Sequence, residues 1–115
     1  LFDSILEEFI EDIAWIWLPF VPWLAVAGVL VERADLAVGD AVLDLGCGRG
    51  AALFAAAGAV GPDGHALGVD LAAGMVERTT RDATDRGLAQ VAVGLGDADH
   101  PPARDGGWDA VVASF

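Results

Sequence analysis

Basic residues are scarce in this sequence. It has no lysine and six arginines against 18 aspartates and glutamates, which gives a formal net charge of −12. Proteins that bind nucleic acid neutralise phosphates with clustered lysine and arginine side chains, whereas the arginines of this chain are scattered. The charge balance therefore predicts no nucleic-acid partner.

Cysteine is equally scarce, since Cys47 is the single one. One thiol allows no intramolecular disulfide and no cysteine cluster for a metal ion, so no metal site is predicted and a reducing, cytoplasmic location is favoured. The chain does not begin with a basic segment, an apolar run and a small-residue cleavage site, so no signal peptide is predicted.

One long apolar run is present, from Ile13 to Val31, and its length matches a membrane span. Pro19 and Pro22 interrupt helical hydrogen bonding within this run, and acidic instead of basic residues precede it. We therefore expect no membrane span. The pattern predicts two helices, over residues 4–17 and over Trp23–Ala34, with a proline-containing joint between them.

These two helices make up a predicted N-terminal segment, residues 1–35, that serves as a lid, a substrate-binding segment or an interface. Bulky aromatic residues are concentrated there: Trp15, Trp17, Phe20 and Trp23. Aromatic residues dominate both protein cores and binding surfaces. For these four residues, packing in a core or in a homo-oligomer interface is therefore the favoured interpretation. Contact with an apolar substrate is the second interpretation.

After residue 35 the sequence alternates between short apolar runs and segments with helical periodicity. Strands are predicted at Ala41–Leu45, Ala66–Leu71, Val91–Leu95 and Trp108–Phe115, and helices at Ala51–Val60 and Ala72–Arg86. Strands joined by helices of this length form a parallel sheet with right-handed crossovers. The predicted fold class is α/β, a Rossmann-like doubly wound, mainly parallel sheet preceded by N-terminal helices. Asp109 is expected to fix the start of the fourth strand.

A glycine-rich turn follows the first predicted strand, with glycines at alternate positions: Gly46, Gly48 and Gly50. In open α/β sheets, ligands bind beyond the carboxyl ends of the strands. Glycines allow close approach of a ligand, and the next helix offers free N–H groups. Carboxylates end or follow three of the strands: Asp44, Asp70 and Asp97. This pattern predicts a nucleotide or nucleoside site.

Two ligand classes fit this turn. The spacing Gly46-x-Gly48-x-x-Ala51 also satisfies a loose dinucleotide pattern, with Asp70 at a suitable distance for a ribose. Asp44 distinguishes the two classes, because a carboxylate beside the turn would repel a pyrophosphate and attract an ammonium group. A nucleoside with a cationic amino-acid tail is favoured, and an NAD-dependent oxidoreductase is the less favoured alternative.

The segment Val42–Gly50, with its acidic residue before three alternate glycines, resembles motif I of class I S-adenosylmethionine-dependent methyltransferases. The resemblance covers residues 36–115, which are predicted to form a Rossmann-like domain for S-adenosylmethionine. It implies the sheet order 3-2-1-4-5-7-6, of which this chain supplies 3-2-1-4, so the remaining strands are expected to be missing. The stretch Gly-Met-Val-Glu-Arg after Asp70 resembles small-molecule methyltransferases of the ubiquinone and menaquinone type.

The resemblance also implies a role for each residue of the cofactor site. The methionine tail would be lined by the turn and the carboxylate before it: Asp44, Gly46, Cys47, Gly48 and Gly50. The later strand ends would supply the other contacts: Asp70 to the ribose hydroxyls, Leu71 and Met75 beside the adenine, Asp97 and Ala98 at the adenine edge, and Ser114 at the methyl-transfer cleft. The Cys47 thiol is expected to fill space in this turn and not to act as a nucleophile.

The expected function is transfer of a methyl group to an oxygen or carbon atom of a small, apolar or natural-product-like molecule. The sequence does not identify a catalytic base; His100, which follows the adenine-edge loop, is the candidate, and a plain loop residue is the other interpretation. The alternative function is a non-catalytic cofactor-binding partner subunit or an inactive relative. Removal of Asp70 is expected to leave stability unchanged or slightly raised, because its carboxylate would repel Asp44 and Asp97.

Overall fold

Parallel strands form the sheet on which the candidate site is built. The computed structural model describes residues 21–113, with side chains from residue 25 onward. Its elements are, in chain order, α1 (Val21–Ala34), β1 (Ala41–Leu45), α2 (Ala51–Val60), β2 (His65–Asp70), α3 (Ala73–Asp85), β3 (Val91–Leu95) and β4 (Ala110–Ala113). The strands lie in the order β3-β2-β1-β4, and each neighbouring pair is parallel. The predicted fold class and the order 3-2-1-4 are confirmed.

The predicted elements agree with the observed ones to within about two residues at their ends. The fourth strand begins later than predicted because Gly106 and Gly107, both at a φ of 78°, form a turn before it. The indole nitrogen of Trp108 then donates to the Arg104 carbonyl at 3.0 Å, which closes this turn. The helix predicted over residues 4–17, the side chains of the four N-terminal aromatic residues and Ser114 lie outside the described residues.

The hydrophobic core lies between the sheet and α2. This helix is almost entirely apolar, and its alanines allow it to pack closely on the strands. The buried core comprises residues of the turn, of α2 and of three strands: Val42, Cys47, Leu53, Ala56, Ala57, Val60, Ala66 and Val112. Val31 and Ala34 of α1 pack against the same cluster. The C-terminal part of α1 thus belongs to this core.

Helix α3 is amphipathic and packs on β2 and β3. Its buried residues are Thr79 and Ala83, while most of its other side chains are exposed. The helix ends at Asp85, and Gly87 follows with a φ of 68° and an N–H that donates to the Thr84 carbonyl at 3.0 Å. This end directs the chain back towards β3.

Asp109 joins the starts of β1 and β4. Its carboxylate accepts a hydrogen bond from the Ala41 N–H at 2.7 Å, and its own N–H donates to the Ala41 carbonyl at 2.8 Å. The predicted role of Asp109 at the start of the fourth strand is confirmed. The neighbouring strands β1 and β4 therefore begin in register.

The apolar run from Ile13 to Val31 is described only from residue 21 onward. Over residues 21–113, no helix combines the length and the apolar character that a membrane crossing requires. The part of this run within α1 belongs to a helix of 14 residues.

Candidate functional site

The glycine-rich turn between β1 and α2 lies at the carboxyl end of the sheet. Its glycines have positive φ angles of 72° at Gly46, 53° at Gly48 and 89° at Gly50, a region that other residues rarely adopt. The N–H groups of Gly46 and Cys47 both donate to the Val69 carbonyl, at 2.7 and 3.0 Å, and anchor the turn to β2. A Cβ atom at Gly48 would meet nothing within 4 Å. The turn is therefore open at Gly48, where a ligand can approach the main chain.

Asp70, the last residue of β2, organises the turns on both sides of it. Its Oδ2 atom accepts a hydrogen bond from the Gly48 N–H at 2.9 Å, and its Oδ1 atom accepts one from the Ala72 N–H at 2.9 Å. Ala72 is the N-cap residue of α3, so one carboxylate joins the glycine turn to the start of that helix. Each oxygen keeps a second lone pair for a ligand hydroxyl.

These bonds correct the expectation about the removal of Asp70. The sequence predicts unchanged or slightly raised stability, from repulsion among the carboxylates alone. In the structure the Asp70 carboxylate holds two main-chain N–H groups, and its loss would leave both without this acceptor. Asp70 therefore stabilises the ligand-free fold.

Asp44 lies in β1 on the same sheet face as Val42, the face that α2 covers. Its side chain is 0% exposed, and neither carboxylate oxygen has a hydrogen-bond partner within residues 21–113. Burial, and secondarily the charge of Asp70, raise the pKa of Asp44 to about 7. A buried carboxylate without a partner is costly, and groups of this kind concentrate at functional sites.

The enclosure of Asp44 concerns its predicted contact with the ligand, which stays a prediction. The resemblance implies that Asp44 lines the ligand directly, whereas the surrounding chain covers its carboxylate completely. Within residues 21–113 the carboxylate is therefore closed to direct contact, while its charge still acts on the surroundings of the turn. An ammonium group near the glycine turn would be attracted to it, and a phosphate would be repelled.

The Cys47 side chain points into the core and not towards the open side of the turn. It is 5% exposed and lies so close to Gly68 that a Cβ atom added there would be 2.7 Å from Sγ. Burial, followed by the charges of Asp44 and Asp70, raises the pKa of the Cys47 thiol to about 12. The thiol fills space, as predicted, and only the main chain of Cys47 is in a position to meet a ligand at the turn.

We expect the Cys47 thiol to be inert in the folded protein. With a pKa of about 12, only about 0.01% of the thiol is ionised at pH 8, and burial excludes reagents as well. Iodoacetamide should therefore modify Cys47 after unfolding in guanidinium chloride and leave the native protein unmodified, as judged by intact mass. Equal rates of modification in the two states would contradict the buried placement.

Two apolar side chains predicted to flank an adenine are exposed just after β2. Leu71 is 71% exposed and Met75 is 38% exposed. Large apolar side chains exposed beside a ligand cleft gain free energy when a ligand ring covers them. Leu71 follows Asp70 directly in the chain, and Met75 lies in the first turn of α3.

The loop after β3 lies against the end of β2. The Gly96 N–H donates to the Asp70 carbonyl at 3.0 Å, which brings the exposed Asp97 to the same edge of the sheet. The Asp97 carboxylate accepts a hydrogen bond from the Asp99 N–H at 3.0 Å, and Asp97 forms an antiparallel bridge with the exposed His100. The predicted adenine-edge residues and His100 therefore belong to one short, solvent-facing loop.

Thr79 is a residue of this region that the sequence does not predict for the site. Its hydroxyl donates to the Gly48 carbonyl at 2.7 Å, although 31 residues separate the two positions. The sequence pattern places Thr79 on the apolar side of its helix, together with Met75, Val76 and Ala83. A polar residue within that apolar stripe is the signal that could have identified it.

Similarity to known proteins accords with this geometry. A family model described as a methyltransferase domain matches residues 42–115. The chain belongs to the methyltransferase domain family. The match begins at the second residue of β1 and includes every residue predicted for the cofactor site, whereas the N-terminal segment, residues 1–35, lies outside it.

Individual relatives agree with the family match. The chain is 47% identical over 90 residues to nocamycin O-methyltransferase of Saccharothrix syringae, covering 78% of this chain and 32% of that protein. It is 44% identical over 88 residues to an aklanonic acid methyltransferase of Streptomyces sp. (strain C5), covering 75% and 39%. A SAM-dependent methyltransferase from Aquifex aeolicus superimposes with a TM-score of 0.70 at 26% identity, covering 77% of this chain and 47% of that one.

The chain spans 32% and 39% of the lengths of these two curated methyltransferases. The matched part contains the glycine turn and the carboxylates of β1, β2 and the β3 loop. Among residues 21–113, no group of three or more His, Cys, Asp or Glu side chains is arranged to hold a metal ion.

Proposed function

We propose that the intact protein binds S-adenosylmethionine at the carboxyl edge of β1, β2 and β3. It transfers the methyl group to an oxygen or carbon atom of a small, apolar or natural-product-like molecule. The observation that carries this proposal is the buried Asp44 carboxylate, which has no hydrogen-bond partner within residues 21–113 and lies beside an open glycine turn that Asp70 holds in place. Membership of the methyltransferase domain family and the two relatives named for nocamycin and aklanonic acid support it.

The charges of the site suit a cationic ligand. The glycine turn contains one basic residue, Arg49, which is paired with Asp82 at 3.2 Å and is more than half exposed. The nearby carboxylates of Asp44 and Asp70 would repel a pyrophosphate and attract the ammonium group of an amino-acid tail. This electrostatic preference favours S-adenosylmethionine over NAD.

The side chains at the strand ends fit the other parts of the proposed cofactor. Asp70 would hold the ribose hydroxyls with the lone pairs that its two main-chain bonds leave free. Leu71 and Met75 would cover the adenine faces, and Asp97 with the Ala98 main chain would contact the adenine edge. Ser114, beyond the described residues, would face the methyl-transfer cleft.

The bound cofactor supplies a methyl group already activated by a positively charged sulfur. The residues of this chain therefore contribute by binding and orienting the donor, because methyl transfer is an in-line displacement that depends on the distance between donor and acceptor. His100, exposed beside Asp97, is the proposed base where the acceptor must lose a proton.

The N-terminal segment, residues 1–35, is proposed as a lid over the acceptor or as an interface with a second copy of the chain. The packing of Val31 and Ala34 on the core supports a fixed attachment of its last part to the cofactor domain. The single cysteine is buried and unpaired, which suits a reducing cytoplasmic location.

Calorimetry on the intact protein tests the proposed function. S-adenosylhomocysteine, the demethylated product, should bind with a Kd at the micromolar level, about −8 kcal/mol, and NAD should not bind. Heat of binding from NAD together with none from S-adenosylhomocysteine would refute the proposal.

A further inference from the structure

Thr79 is a fully buried polar residue of α3 that contacts the glycine turn with both branches of its side chain. Its hydroxyl donates to the Gly48 carbonyl at 2.7 Å. Its methyl group lies so near Gly50 that a Cβ atom added there would be 3.1 Å from Thr79 Cγ2. One side chain thus touches two of the three glycines of the turn.

The direction of the Thr79 hydrogen bond differs from that of another threonine of the same helix. The Thr84 hydroxyl donates to the Thr80 carbonyl at 3.0 Å, within its own helix, as helical threonines commonly do. The Thr79 hydroxyl instead bonds outside the helix. Because a buried hydroxyl needs a partner, this bond links α3 to the turn.

The peptide groups at Gly48 are held from two different elements. The Gly48 N–H donates to Asp70 at the end of β2, and the Gly48 carbonyl accepts from Thr79 of α3. Gly48, at a φ of 53°, has no side chain that restricts its main chain. The local sequence therefore does not specify how the peptide groups on either side of Gly48 are oriented. The two tertiary bonds therefore determine how the turn presents its main chain.

A second link between α3 and the turn is weaker. Arg49 and Asp82 form an ion pair at 3.2 Å, but their side chains are 56% and 35% exposed. Water and salt screen exposed pairs of this kind, which contribute little. The buried bond from Thr79 is therefore the main link between this helix and the turn.

We propose that Thr79 is a positioning residue for the ligand-binding turn. It holds the Gly48 peptide in the orientation that receives the amino-acid tail of the cofactor, without touching the cofactor itself. The inference rests on the proposed function for the identity of the ligand. The ordering of the turn is a property of the ligand-free protein, and a turn ordered in advance binds more tightly.

Hydrogen exchange in the ligand-free, intact protein tests the ordering of the turn. Thr79→Val keeps the shape of the side chain and removes the hydroxyl, so the amides of residues 46–50 should exchange about tenfold faster. Thr84→Val, the same change in the same helix, should leave exchange in the turn unaltered. Thr79→Ser keeps the hydroxyl and should exchange like wild type. Unchanged exchange in Thr79→Val, or fast exchange in Thr79→Ser, would overturn the inference.

Binding of S-adenosylhomocysteine, measured by calorimetry, tests the consequence for the ligand. Thr79→Val should weaken binding about tenfold, while Thr79→Ser should restore it to within about threefold of wild type. Asp82→Asn, which breaks the exposed pair, should bind within about twofold of wild type. Wild-type affinity in Thr79→Val, or equal weakening in Thr79→Ser, would overturn the inference. Absence of binding by wild type would instead refute the proposed function, and the exchange result would then decide the role of Thr79.

Discussion

Replacement of Asp44 by asparagine is expected to stabilise the ligand-free protein at neutral pH and to weaken its binding of S-adenosylhomocysteine. The pKa of Asp44 is raised from 3.8 to about 7 in the folded protein, so the folded state retains a proton that the unfolded chain releases between these values. This carboxyl group therefore lowers stability progressively as the pH rises from about 4 to 7 and imposes a constant cost above that range. Asparagine carries no charge and avoids this cost.

The gain in stability from Asp44→Asn should be smaller than the free energy that corresponds to the full pKa shift of Asp44. A pKa shift of about three units corresponds to at most about 4 kcal/mol. The asparagine amide would also be buried without a partner, so we expect a net gain of about 1–2 kcal/mol above pH 7. Denaturant unfolding of the intact protein at several pH values is the measurement. The difference between Asp44→Asn and wild type should grow from pH 4 to 7 and then stay constant.

Asp85→Asn is the matched control, because it makes the same substitution at an exposed position of α3. The difference in the free energy of unfolding between Asp85→Asn and wild type should not grow from pH 4 to 7 as it does for Asp44→Asn. A stability difference for Asp44→Asn that does not depend on pH would contradict the raised pKa.

The charge of Asp44, which lowers the stability of the ligand-free protein, should strengthen the binding of S-adenosylhomocysteine. On the proposed function, the ionised Asp44 carboxylate attracts the ligand's ammonium group, so wild-type affinity should rise from pH 5 to 7.5 and binding near pH 6 should release protons. At pH 8 Asp44→Asn should bind about tenfold to a hundredfold more weakly, with little pH dependence over that range. Calorimetry in two buffers of different ionisation enthalpy measures the proton release. Affinity unchanged in Asp44→Asn would show that this charge plays no part in binding.

Replacement of Asp70 by alanine should reduce both cofactor affinity and stability. The two charge-assisted bonds proposed between Asp70 and the ribose hydroxyls would be lost, so affinity for S-adenosylhomocysteine should fall by roughly tenfold to several hundredfold. The bonds to the Gly48 and Ala72 N–H groups would be lost as well. Relief of repulsion with Asp44 offsets part of this loss, and we expect a net destabilisation of about 1–2 kcal/mol.

Calorimetry and denaturant unfolding of the same Asp70→Ala preparation measure the two effects. Asp70→Asn, which keeps one acceptor oxygen, should lose less stability, and Asp63→Asn, exposed in the turn before β2, should lose none. The charge of Asp70 also contributes to the raised pKa of Asp44. In Asp70→Ala this pKa should be lower, so the pH range over which Asp44 lowers stability should end at a lower pH. Wild-type affinity in Asp70→Ala would show that the cofactor does not lie along the strand ends.

The part of the site that the sequence predicts consists of local features. The glycine spacing of residues 46–50 predicts the turn, and the glycines do have positive φ angles. Asp70 and Asp97 are located by the ends of short apolar runs, because parallel strands bring their carboxyl ends to one edge. The contacts of the individual side chains with a cofactor stay predictions.

The amino-acid sequence by itself determined the order of strands and helices, the glycine turn and, through resemblance to a family, the strand order 3-2-1-4. Apolar periodicity and turn residues act over a few positions, so these features can be inferred without knowledge of the fold. Only the tertiary structure decided the complete burial of Asp44, the inward direction of Cys47 and the two bonds that hold Gly48. These bonds join residues 22 and 31 positions apart, and the crossover of each helix over the sheet brings their atoms together.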